Sequence, residues 1–151
     1  MARLLGIDVG NKRIGVAVSD PNGLIASSLV ALERKGKRRD IAAILDLAHQ
    51  QAVTGIVVGI PVSLDGNLHL QGNLTKSFFS ALHSESFLPI VTCDESFSTD
   101  EAESRLRQIG AKPSRERGRV DAAAAAIILQ RYLDAHQGKI PTNVEEGRLS
   151  R

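Results

Sequence analysis

Four acidic residues stand out by where they fall in the chain. Asp8 lies inside an apolar run, Arg3-Leu-Leu-Gly-Ile-Asp8-Val-Gly10. An isolated carboxylate there is costly to bury unless it is paired, protonated or bound to a metal. Asp94 and Glu95 directly follow a second apolar run, which ends at Cys93. Asp121 opens an alanine-rich segment, Asp121 to His136, that reads as a helix, and a helix favours an anion at that end. Each has a purely structural explanation: Asp8 could pair with Arg13 or Lys12, Asp94 and Glu95 could be solvated turn residues, and Asp121 could be an N-terminal cap. Together they suggest more. Asp8, Glu95 and Asp121 gathered within ~5 Å would repel one another unless a divalent cation neutralised them. Oxygen-only ligands suit Mg²⁺ or Mn²⁺. Such a site activates a water for in-line attack on a phosphodiester and stabilises the leaving oxygen.

Other candidates are weaker. His49, His69, His83 and His136 share no spacing that would put two on one face with a carboxylate. His69, in the polar loop from Asp65 to Gly72, is the one histidine worth testing. Cys93 is the single cysteine, which excludes an intramolecular disulfide and a thiolate zinc cluster; without a histidine nearby it reads as a packed thiol.

The charges are unevenly placed. The formal net charge of the 151 residues is only +2, with 19 basic and 17 acidic side chains. Three stretches hold 13 of those 19 basic residues: Lys12 and Arg13; Arg34, Lys35, Lys37, Arg38 and Arg39; and Arg105, Arg107, Lys112, Arg115, Arg117 and Arg119. Glu116 is the one acid inside them. Basic loops around an acidic site suit a nucleic acid, because the cations bind the backbone while the acids hold the catalyst. Aromatic residues make up 3% of the chain, so recognition through base stacking is disfavoured relative to backbone or shape reading.

The positioning elements follow from periodicity. Arg3–Gly10 and Arg13–Asp20 read as strands joined by the hairpin turn Gly10-Asn11-Lys12. The turn Pro21-Asn22-Gly23 leads to a third strand near Leu24 to Leu32. Ile41, Ile44, Leu45, Ala48 and Ala52 then form the stripe of a helix entered at Asp40. Gly55–Ile60 reads as a strand buried on both faces, ended by Pro61. Leu74, Phe78, Ala81 and Leu82 fit a second helix, and Leu88–Cys93 the next strand. Ser98 with Glu101 makes a capping box for a further helix stopping near Gly110. The expected fold is a mixed five-stranded α/β sheet, an antiparallel meander of three strands plus two parallel strands, with helices on both faces. One domain is expected over residues 1–138, followed by a flexible tail at 139–151. No apolar run reaches the ~20 residues that span a bilayer, and no signal-peptide pattern opens the chain, so a cytoplasmic location without membrane contact is expected.

The motifs, taken in order, resemble a known family. Gly6-Ile-Asp8-Val-Gly10-Asn-Lys12-Arg13-Ile-Gly15-Val-Ala-Val-Ser-Asp20, Gly59-Ile-Pro61 with Asp65-Gly66, Asp94-Glu95 with Ser98-Thr99, and Val120-Asp121 running to Gln130 are similar to the YqgF family of pre-16S rRNA nucleases, also called Holliday-junction-resolvase-like. The resemblance covers Ala2 to Leu133. It implies an RNase H-like fold with Asp8, Glu95 and Asp121 as catalytic and metal-binding residues. It also implies a metal-dependent nuclease acting at the 5′ end of the small-subunit ribosomal RNA precursor, with precursor RNA and ribosomal particles as the expected partners. Lys12, Arg13, Arg115, Arg117 and Arg119 would hold the nucleic-acid backbone. Ser96 departs from the family, which usually has Arg after the Asp-Glu pair. The alternatives are a resolvase of four-way DNA junctions and a non-catalytic RNA-binding assembly factor. A phosphate-binding role, suggested by the likeness of Gly10–Arg13 to the phosphate turn of sugar kinases and actin-like ATPases, would call for a second phosphate loop and usually a second domain.

Overall fold

Strand β1 (Leu4–Val9) alternates between two faces that both become buried. Leu5, Ile7 and Val9 enter one apolar cluster, while Leu4 enters another on the opposite side. The computed structural model describes residues 3–60, 70–94 and 117–136. A strand buried on both faces belongs at the centre of a sheet, and β1 takes that place. It pairs antiparallel with β2 (Arg13–Ser19) and parallel with β4 (Gly55–Ile60). Strand β3 (Ala26–Glu33) flanks β2 antiparallel, and β5 (Ile90–Asp94) flanks β4 parallel, giving the order β3-β2-β1-β4-β5. The expected five-stranded mixed sheet is observed.

Both early turns close as their residues require. Gly10 N–H donates to the Arg13 carbonyl at 2.9 Å, closing the β1–β2 hairpin. In the next turn the Asp20 carboxylate accepts from the backbone N–H groups of Asn22, Leu24 and Ile25, while Gly23 takes a φ of 70°. Those donors, Ile25 and Leu24 foremost, hold the Asp20 carboxyl below the usual carboxylate range.

Helices cover both sheet faces. Helices α1 (Lys37–Gln50) and α2 (Leu70–Glu85) lie on one, where Ile41, Ile44, Phe78 and Leu82 pack against Leu5, Ile7, Ile56 and Val58. Helix α3 (Arg117–His136) covers the other through Ala125, Ile128, Leu129 and Leu133, against Leu4, Ala17, Val57 and Val91. Gly6 permits this approach: a Cβ there would sit 2.7 Å from the Leu129 Cβ.

Several boundaries differ from the sequence expectation: β3 and β5 are shifted by one or two residues, and α2 begins at Leu70, inside the stretch read as a polar loop. Helix α1 begins at Lys37, one turn before Asp40, because the Asp40 carboxylate turns inward to accept from Arg34 Nε (2.7 Å) and the Lys35 backbone N–H (2.9 Å). Ala52 lies beyond the end of α1 with a φ of 53°, in a closing turn where Ala52 N–H donates to the His49 carbonyl and Val53 N–H to that of Ala48. Helix α3 begins at Arg117, because Val120 already packs with Ala124 and Ile127, continuing the helical phase one turn earlier. Asp121 is therefore not the N-terminal cap. Residues 61–69 of the β4–α2 connection, His69 among them, the capping box at Ser98 and Glu101, and the 139–151 tail lie outside the described residues.

Candidate functional site

The directions of the elements select one edge of the sheet. Strands β1, β3, β4 and β5 all run the same way, so their carboxyl ends meet at that edge. The crossovers return α1 and α2 antiparallel to the strands, which brings their amino ends there too. Helix α3 also descends from this edge, since Asp121 lies over Gly15 while Leu129 lies over Gly6, lower on the sheet.

Asp8 is the acid at the centre of that edge. It stands in register between Gly15 of β2 and Gly59 of β4, so neither neighbouring strand places a side chain beside it. Strand alternation puts Asp8 on the face of Leu4 and Gly6, the face that α3 covers. Gly15 brings the helix in close: a Cβ at Gly15 would lie 1.9 Å from the Asp121 carbonyl oxygen. Paired residues on adjacent strands are roughly 5 Å apart, so the first turns of α3 stand one strand away from Asp8.

Asp121 has a cation of its own. Arg13 Nε donates to Asp121 Oδ2 at 2.7 Å, with both side chains partly exposed. Arg13, expected on the nucleic-acid backbone, is held against a carboxylate. Lys12, one residue earlier in the turn, is exposed. Arg117 and Arg119 fall in the first turn of α3 at this edge. Glu95 and Arg115 lie outside the described residues, and among the described residues no three His, Cys, Asp or Glu side chains form a ligand cluster.

The donor set nevertheless fits a divalent cation. Asp8 and Asp121 offer carboxylate oxygens and the glycines beside Asp8 leave room, while Arg13 holds Asp121 Oδ2 and competes with a cation for that oxygen. Among the described residues the histidines add nothing here: His49 and His83 are exposed, and His136 stacks on Tyr132 near the far end of α3. Cys93 is partly buried against the α3 cluster, as expected of a packed thiol.

Two features escaped the reading of the sequence. One is Gly15; a glycine inside a strand, paired with an unusual aspartate, does signal close backbone approach. The other is the Arg34–Asp40 ion pair. Arg34 also donates through Nη1 to the Gly10 carbonyl at 2.9 Å and lies over the Phe78 ring, so it braces the turn that follows Asp8. Six residues separate the partners, and no regular period marked them.

A sheet of this order, with an acid on its central strand facing the final helix, belongs to the RNase H-like class of domains. The chain matches the family described as "RuvX: Holliday junction resolvase" over residues 2–135. A protein of Syntrophus aciditrophicus (strain SB) named "Putative pre-16S rRNA nuclease" is 42% identical over 142 residues, covering 93% of this chain and 95% of that protein. A protein of the same name from Anaeromyxobacter dehalogenans (strain 2CP-C) is 42% identical over 132 residues, covering 87% of this chain and 96% of its own. Among solved structures, Thermus thermophilus RuvC in complex with a Holliday junction substrate superposes with a TM-score of 0.59 at 19% identity, covering 93% of this chain and 99% of RuvC. That likeness is one of fold. The chain belongs to the RuvX family.

Proposed function

We propose that this protein is a metal-dependent nuclease that hydrolyses phosphodiester bonds at the 5′ end of precursor 16S ribosomal RNA in the cytoplasm. The observation that carries the chemistry is the position of Asp8, between two glycines at the carboxyl edge of the central strand and facing the helix that bears Asp121. The names of the relatives in Syntrophus and Anaeromyxobacter support the RNA substrate. The reading takes residues 1–138 as one catalytic domain and 139–151 as a tail.

Asp8 and Asp121, with Glu95, would hold one or two ions, Mg²⁺ or Mn²⁺. When bound, such an ion supplies Lewis acidity, making a water more acidic and offsetting charge that develops on the phosphate. The chain's own groups do the positioning. The Asp8 backbone is fixed by strand pairing on both sides, which sets the face on which its carboxylate stands. Arg13 orients the Asp121 carboxylate, and exposed Lys12 is free to meet a phosphate oxygen beside it. Arg115, Arg117 and Arg119 extend the backbone grip.

The decisive experiment incubates purified protein with a precursor 16S 5′-leader RNA and with a four-way DNA junction, each with Mn²⁺ or with chelator. The expected result is metal-dependent cleavage of the RNA that Asp8→Asn abolishes while nucleic-acid binding persists. Full activity of Asp8→Asn, with its fold verified by circular dichroism, overturns the assignment. A second reading, resolution of four-way DNA junctions by the same chemistry, is favoured by the family description and is selected if only the junction is cut.

A further inference from the structure

We propose that the phosphodiester backbone of the nucleic acid crosses the amino end of α1, where it is held by Lys35, Arg38 and Arg39. This rests on the nucleic-acid reading above and adds a surface outside the carboxylate site. The second basic stretch, residues 34–39, separates in the structure into groups with internal work and groups without it. Arg34 is committed to Asp40 and to the Gly10 carbonyl, and Lys37 Nζ donates to Ser77 Oγ at 2.9 Å. Lys35, Arg38 and Arg39 are exposed, and no carboxylate among the described residues pairs with them.

Their placement relative to Asp8 is fixed. Arg34 N–H donates to the Lys12 carbonyl at 2.9 Å, and Arg34 Nη1 donates to the Gly10 carbonyl at 2.9 Å. These bonds fasten the second basic stretch to the turn that follows Asp8, so Lys12 and the amino end of α1 share one edge. The acid nearest in sequence, Asp40, is only 3% exposed and its charge is met by Arg34, so it does not cancel the surface field. Glu33 is exposed and in register with Arg13, and Glu85 shares the α1–α2 groove with Lys37 and Arg38. These two acids face a larger number of cations. The first-turn N–H groups of α1 add to the field, since Gly36 caps the helix without a side chain.

Holding several like charges together unpaired is unfavourable in the free protein, and a polyanion relieves that cost. The large exposed apolar residues among those described, Leu24, Ile25 and Phe87, all lie away from this edge, in the connections at the opposite ends of the strands and helices. Without a stacking platform, the surface reads backbone rather than base, and its contribution is one of salt-dependent affinity.

The test measures fluorescence anisotropy of fluorescein-labelled 20-nucleotide RNA and DNA strands of one sequence. The protein is the full chain carrying Asp8→Asn, in EDTA, between 50 and 200 mM KCl. Adding Lys35→Ala, Arg38→Ala and Arg39→Ala together is expected to reduce the slope of log K against log salt by about 2, at about 0.7 per lost phosphate contact on a single strand. Restoring charge with Lys35→Arg, Arg38→Lys and Arg39→Lys is expected to restore the slope. Arg3→Ala, at the opposite end of β1, is expected to leave it unchanged. Loss on both strands, or on RNA alone, supports the proposal and identifies the strand that uses this surface. An unchanged slope in the triple alanine variant, with binding by the parent intact, overturns the proposal and leaves the nuclease reading standing. Failure of the parent to bind either strand overturns the nucleic-acid reading and this inference with it.

Discussion

Arg13 Nε lies 2.7 Å from Asp121 Oδ2, joining β2 to α3 across 108 positions of sequence. The pair sits beside the close contact between Gly15 and the Asp121 backbone, one strand from Asp8. A guanidinium and a divalent cation both stabilise the Asp121 carboxylate, and they do so from the same region. Arg13→Gln is expected to tighten Mn²⁺ binding severalfold in a calorimetric titration, whereas Asp121→Asn weakens it. Equal Mn²⁺ affinity in the parent and both variants would show that Asp121 is only a structural partner of Arg13. As the pair is partly exposed, Arg13→Gln should cost no more than about 1 kcal/mol of stability.

Gly15 sets how closely α3 approaches the sheet. Its substitution by Ala drives a Cβ to within 1.9 Å of a backbone oxygen, which no rotamer change relieves. Urea denaturation of Gly15→Ala is expected to show a loss of about 3 kcal/mol, the upper range for overpacking. Cleavage should fall further than the loss of folded protein explains, because α3 carries Asp121. Wild-type stability in Gly15→Ala would refute the close approach.

The Arg34–Asp40 pair predicts an asymmetry. The Arg34 side chain is 26% exposed and can regain water if Asp40 is altered, whereas Asp40 is 3% exposed and cannot. Arg34→Ala is therefore expected to cost about 3 kcal/mol and Asp40→Asn about 1 kcal/mol. Thermal or urea unfolding of the two variants compares them directly, and the reverse order would contradict the burial argument.

Asp20 links stability to acidity. Its carboxyl titrates below the ordinary range because backbone N–H groups favour the charged form. Folding gains from this charge above an unfolded-state pKa of about 3.9. The gain is lost as pH falls through the lower folded value. Asp20→Asn should thus reduce stability at neutral pH and converge with the parent in acid. A constant difference across that range would assign the effect to turn geometry alone.

Several elements were legible from local pattern and the turn residues that bound them. The short apolar runs of Leu4–Val9 and Gly55–Ile60, each bounded by turn residues, read as strands and the stripe of Ile41, Ile44 and Ala48 as a helix, and all three elements are observed. Boundaries were less legible because contacts distant in sequence set them. Helix α3 extends back to Arg117 through the packing of Val120, and α1 extends back to Lys37 because Asp40 faces Arg34 instead of capping the helix.

By itself, the sequence determined the sheet with its helices, the order of its strands as a meander followed by parallel crossovers, the family, and Asp8 as an acid out of place in an apolar strand. Local periodicity and residue chemistry suffice for the elements and for Asp8, and the resemblance of the ordered motifs for the family. Tertiary structure alone decided which charges are spent on holding the fold and which are left for a partner. Arg13 and Arg34 are indistinguishable in the sequence from Lys35, Arg38 and Arg39 as members of basic stretches. Folding places carboxylates against the first two and water against the others, because an ion pair depends on distance in space and on burial, neither of which spacing along the chain encodes.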